Sequence, residues 1–149
     1  MNFNTQVCTT REQSERLLAL GLKKESADCC WLGCVKDARG KDIPKKKQVW
    51  FTRTSREEGA MICRLERFEV VSAWSLHRLI TMCPNCTDTH PCLHKTITDR
   101  SIHYCEENNK EEYEVSFSEH LSLYDNIIAC IEWLIENNHF NKEYLEGTK

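Results

Sequence analysis

Apolar positions fall at helical spacing near both ends of the chain and once in its middle, and at strand spacing between. Thr10-Arg11-Glu12-Gln13 has capping-box form, in which the Thr10 hydroxyl takes an N3 amide and Gln13 reaches back. The helix that starts there should end at Gly21, a residue able to take the left-handed C′ conformation, with Leu20 and Leu22 around it. From Asp28 to Val35, Trp, Leu, Val and three Cys follow with no helical stripe, as in a strand buried on both faces. Asp37 to Gly40 has turn chemistry, and Gln48 to Thr52, with Val49, Trp50 and Phe51, returns as a second strand.

After a polar stretch from Ser55 to Gly59, Met61 to Val71 reads as a further strand. Ser72 is placed to cap a helix in which Leu76, Leu79, Ile80 and Cys83 share one face, and Pro84 stops it. Ile102 to Cys105, a polar turn at Glu106 to Lys110, and Tyr113, Val115 and Phe117 at period two mark a second hairpin. Ser122-Leu123-Tyr124-Asp125 caps the clearest element. Its face is Leu123, Ile127, Ile128, Ile131, Leu134 and Ile135, Asn137-Asn138 suits its exit, and His139 to Leu145 adds a short terminal turn. Helix, then strand-strand-helix twice, predicts an α+β fold. The expected architecture is a small single domain over residues 1–149, an antiparallel sheet of two hairpins with helices packed on one face. Residues 83–95 interrupt it as a Cys/His-rich loop insertion.

Composition narrows the class. The chain has 149 residues, ten of them cysteine, and a formal charge of -3. That length buries a core without disulfides or metal. No apolar run is long enough to span a bilayer, and the polar start predicts no secretory leader, so a cytoplasmic protein with no membrane association is expected. In a reducing compartment most of the thiols should pack as small hydrophobes.

Charge is unevenly distributed. Residues 1–75 hold 14 Lys and Arg against 10 Asp and Glu, and residues 76–149 hold 6 against 13. Most of the excess lies between Lys36 and Arg56, where eight basic residues face two acidic ones. The candidate binding residues are Lys45, Lys46, Lys47, Trp50, Arg53 and Arg56, which set cations beside aromatic rings as nucleic-acid or acidic protein partners require. The plainer reading is a solvated hairpin tip.

Only one group of thiols has the form of site chemistry. Cys83-Pro84-Asn85-Cys86 is a C-x2-C step, followed by Cys92 and His94. Zinc takes four thiolate or imidazole ligands in a tetrahedron, and a C-x2-C turn presents two. Cys83, Cys86, Cys92 and His94 are the candidate ligands, with Cys105 as an alternative and His90 a further one. The x1 spacing of Cys92 and His94 is tighter than a usual second knuckle, so the expected cofactor is none or structural zinc. A redox role for the C-x2-C is disfavoured, because the pair follows a helix instead of opening one. No nucleophile-elbow, P-loop or H-E-x-x-H pattern occurs, and no catalytic residue is assigned.

Several segments resemble a family of short proteins of unassigned function encoded in phages and mobile elements of gut Bacteroidales. They are Cys8 to Leu18 through Gly21-Leu22, Ala73 to Leu79, Tyr124 to Ile128 and Asn141 to Leu145, about a third of the chain. The resemblance implies a setting and no activity. It also implies a direct run from the Trp-Ser-Leu helix into the next strand, from which the cysteine-rich loop departs. The expected function is that of a small non-enzymatic interaction or regulatory protein with a protein partner. The alternative is a zinc-stabilised nucleic-acid-binding module that uses the basic hairpin 36–56. The opposed charge of the two halves allows a homodimer.

Overall fold

The computed structural model describes residues 6–54, 67–87, 93–98, 102–106, 114–115 and 122–147. The first helix, α1 (Arg11–Ala19), opens on the full reciprocal capping box. The Thr10 amide donates to Gln13 Oε1 at 2.9 Å, and the Gln13 amide donates to Thr10 Oγ1 at 3.2 Å. Past its end, Gly21 takes φ 91°, the left-handed conformation that glycine adopts without strain.

Three strands follow: β1 (Cys29–Cys34), β2 (Val49–Arg53) and β3 (Phe68–Ala73). They form an antiparallel sheet of order β2-β1-β3, with Leu32 opposite Phe51 on one side and Val70 on the other. Gly33 lies opposite Trp50, and a Cβ on Gly33 would sit 2.6 Å from the indole, so the ring rests directly on the glycine backbone. The guanidinium carbon of Arg11 lies 3.9 Å from the centroid of the same ring. One glycine in the central strand thus seats the tryptophan that joins α1 to the sheet.

Next comes α2 (Leu76–Met82). Its cap is Ser75, whose Oγ accepts from the Arg78 amide at 3.1 Å. The expected cap, Ser72, is instead in β3 opposite Cys30, because the ladder continues to Ala73. The second sheet has order β4-β5-β6, from β4 (Leu93–Ile97), β5 (Ile102–Glu106) and β6 (Glu114–Val115). β4 is an element the period-two reading missed, and it takes residues 93–95 out of the expected loop. The last helix, α3 (Leu123–Glu136), is capped by Ser122, whose side chain accepts from the Asp125 amide. It exits through Asn138 at φ 60°, with the His139 and Phe140 amides closing on the Leu134 carbonyl. Ile127, Ile128, Ile131 and Leu134 are fully buried, each contributing about 1.5–3 kcal/mol. The Tyr104 and Trp133 rings meet at 6.1 Å and set α3 against β5.

The protein is a small α+β domain, as expected. Its strands are shared between two antiparallel sheets where the sequence reading placed two hairpins in one, because each hairpin gains a third strand of its own. Contacts group residues Met1–Leu18 with Lys23–Arg78, and Ala19–Leu22 with Leu79–Lys149, in two compact units. In the second unit, the Glu146 amide donates to the Gly21 carbonyl at 2.7 Å, and Leu22 bridges Leu145.

The first unit is organised around Trp74, which has no exposed surface. Its amide donates to Thr9 Oγ1 at 3.0 Å, its carbonyl accepts from the Thr9 amide at 2.9 Å, and its indole donates to Ser26 Oγ at 3.0 Å. Thr9 also shares a 2.8 Å hydrogen bond with Ser14 of α1 and accepts from the Trp31 indole at 2.8 Å. Thr9→Val keeps the shape but strands the Trp74 amide and the Ser14 hydroxyl. It should therefore cost about 1–3 kcal/mol in urea unfolding. Gly33→Val drives a side chain into the Trp50 ring and should cost about 1–3 kcal/mol, with Gly33→Ala showing a smaller loss of the same sign.

Candidate functional site

The basic hairpin is built as a long ordered tip on a sheet edge. Asp37 Oδ1 accepts from the Arg39 and Lys41 amides, and Gly40 takes φ 78°, which turns the chain back. The Ile43 amide donates to the Val35 carbonyl at 2.7 Å, and Gln48 Nε2 donates to the Ile43 carbonyl at 3.0 Å. Lys45–Lys47 then form one 3-10 turn with all three side chains exposed. They lead into β2, whose outer edge pairs with no described strand.

Along β2, Val49 is 58% and Phe51 41% exposed, and Arg53 is also exposed. Alternation puts Val49 and Phe51 on one face of the sheet and Trp50 on the other. Trp50, proposed from sequence as a stacking ring, is held against Gly33 and Arg11. Phe51 is the ring this edge presents. The sequence offers both rings and does not choose between them, because both fit a core strand; strand alternation, with Gly33 under Trp50, separates them. Arg56 lies outside the described residues.

The cysteine and histidine cluster is only partly brought together. Cys86 and His94 face each other in an isolated antiparallel bridge, and His94 is the register partner of Cys105 across β4 and β5. The backbone therefore sets Cys86, His94 and Cys105 in one row. Lys95 stiffens it: its amide donates to the Asn85 carbonyl at 2.8 Å, and its ammonium to the carbonyls of Cys83 at 2.7 Å and Ile80 at 3.1 Å, closing the end of α2. Tyr104 donates to the Pro84 carbonyl at 2.6 Å, and burial, with the Cys83 and Cys130 thiols next, pushes its phenol far up.

Cys83 turns away from this row. It is buried, with its thiol near that of Cys130 in α3, while Cys86 is exposed. Cys92 and His90 lie outside the described residues, and of Cys105 only the backbone is described. Among the described residues no three His, Cys, Asp or Glu side chains converge as a metal site. No described helix is long and apolar enough to cross a membrane.

Comparison with protein families, curated proteins and solved structures finds no match to this chain.

Two thiols of the first unit, Cys8 and Cys29, are held protonated. Burial, with the Asp28 carboxylate next, pushes Cys8 from its ordinary 9.0 up to about 11 and Cys29 to about 12. In the unfolded chain both ionise near 9.0, so above that pH the unfolded state binds fewer protons than the folded one. Stability from these thiols is fully present below pH 9.0 and is lost as pH rises towards 11 and 12. Urea midpoints measured across pH 8.5 to 11 should fall, and fall less steeply in Cys8→Ala, with the slope beginning at about pH 9.

Proposed function

We propose that the protein is a non-enzymatic interaction protein of a phage or mobile element, and that it engages a protein partner along the outer edge of β2. The observation that carries this reading is that edge, unpaired among the described residues, with Val49 and Phe51 exposed between the cations Lys45–Lys47 and Arg53. An unpaired edge offers a row of amides and carbonyls to an added strand, and alternate side chains on it supply selectivity. The flanking charge favours an extended partner segment rich in Asp and Glu. A second copy of the chain is one source of such a segment, since residues 76–149 hold 13 acidic against 6 basic residues.

A second reading, the zinc-stabilised nucleic-acid-binding module, is favoured by the exposed Lys45–Lys47 beside the exposed Phe51 and by the row Cys86, His94 and Cys105. In that reading, the cations meet phosphates, Phe51 stacks on a base, and Cys92 completes the metal set with the row.

One set of measurements separates the two. Partner capture from the native host by wild type and by the double variant Val49→Glu, Phe51→Glu should differ, with retention falling roughly tenfold or more when the apolar anchors are lost. Single-stranded DNA or RNA bound with a steep salt slope, lost on Lys45–Lys47→Ala and weakened by chelator, moves the assignment to the second reading. Retention that neither set of changes alters would overturn the edge as the binding surface.

A further inference from the structure

Each of the two units buries a pair of thiols from distant parts of the chain. In the first unit, Cys29 of β1 pairs with Ala73, and Cys8 bridges Ser75. Ala73 and Ser75 are two residues apart on one extended segment, so their side chains, and those of the residues opposite them, lie on the same face. Cys8 and Cys29 accordingly share one buried cluster with Ala73, at 2% and 3% exposed. In the second unit Cys83, just past α2, and Cys130 in α3 are 2% and 0% exposed and lie together beside Tyr104, whose hydroxyl donates to the Pro84 carbonyl and whose ring meets Trp133, one turn on from Cys130.

We infer that Cys8–Cys29 and Cys83–Cys130 are two disulfide sites, formed by exchange with a low-molecular-weight disulfide such as glutathione disulfide. This goes beyond the interaction reading and does not rest on it. One protein thiolate attacks the small disulfide, breaks its S–S bond and releases one small thiolate. The second protein thiolate then attacks the protein sulfur of the mixed disulfide and releases the other. Both cysteines are oxidised, the small disulfide is reduced to two thiols, and the two protein protons end on them. Cys8 follows the exposed Val7, so opening the short segment before α1 admits the reagent. Each link ties segments far apart in sequence and so constrains the unfolded chain.

The pairing differs from what the spacing suggests. C-x2-C joins Cys83 to Cys86, and Cys29 adjoins Cys30, whereas the structure pairs Cys83 with Cys130 and Cys29 with Cys8. The full chain, kept folded, is incubated with glutathione disulfide, blocked with N-ethylmaleimide in denaturant, digested and mapped by mass spectrometry. Peptides linked Cys8–Cys29 and Cys83–Cys130, each two hydrogens lighter than the reduced pair, are expected, with a rise in melting temperature that dithiothreitol reverses. Cys29→Ala should abolish the first link and leave the second, and Cys130→Ala the converse. Because the mapping is made on the wild-type chain, a variant that fails to fold leaves it intact. A pair whose members both carry maleimide after Cys86 has taken up glutathione is overturned as a site, as is one linked instead to Cys30 or Cys86.

Discussion

The first unit depends on one constraint: a tryptophan with no exposed surface, Trp74, must have its backbone satisfied at the point where β3 ends and α2 has not begun. A buried amide without a partner costs more than most single contacts return. Thr9 meets that need twice, with its hydroxyl for the Trp74 amide and its own amide for the Trp74 carbonyl. The same residue then reaches Ser14 in α1 and the Trp31 indole in β1. On the far side, Asp28 holds Ser75 by its amide at 2.8 Å and its hydroxyl at 2.5 Å, which fixes the cap of α2. Three elements are thus indexed to one junction. The buried thiols are a consequence of it, because the Thr9–Trp74 pairing sets Cys8 opposite Ser75, beside Cys29.

Where the local code is complete, the sequence was enough. The Thr10–Gln13 box, the left-handed Gly21, the Ser122 cap and the Asn138 exit are formed by residues within a few positions of one another, and all four are present. Failures came where the partner is distant. Ser72 and Ser75 are equivalent as cap candidates by type, and what separates them is the register of β3 against β1, which keeps Ser72 in the ladder. β4 reads as loop because Leu93 to Ile97 has little apolar alternation. Its place is secured by pairing with Ile102–Glu106 and by the hold of Lys95 on the end of α2. The split into two sheets has the same origin, since strand partners are set by long-range pairing that no window of sequence contains.

The candidate sites show the same division. Spacing grouped the cysteines by nearness in sequence, which suits a metal knuckle formed within one turn. Burial groups them otherwise: Cys83 goes inward to Cys130, and Cys86 stays out beside His94. A Pro-Asn step between the two cysteines, with Tyr104 anchored on the Pro84 carbonyl, sends neighbouring thiols into different surroundings. Likewise Trp50 and Phe51 are adjacent and chemically alike, yet strand alternation sends one onto Gly33 and leaves the other at the surface.

These divisions bear on which thiols can react. Burial keeps Cys8 and Cys29 protonated far above neutral pH, and a thiol without its thiolate neither attacks a disulfide nor binds metal quickly. In this pair contact sets which cysteines join, while the frequency with which the segment around Cys8 opens sets how fast. A core that is inert while closed and selective once opened couples the rate of reaction to the choice of partner. The Thr9 hydrogen bonds govern both, because the contacts that align Cys8 with Cys29 are those that must break to admit a reagent. Loosening that junction would speed attack on the thiols and, in the same measure, weaken the alignment that makes them partners.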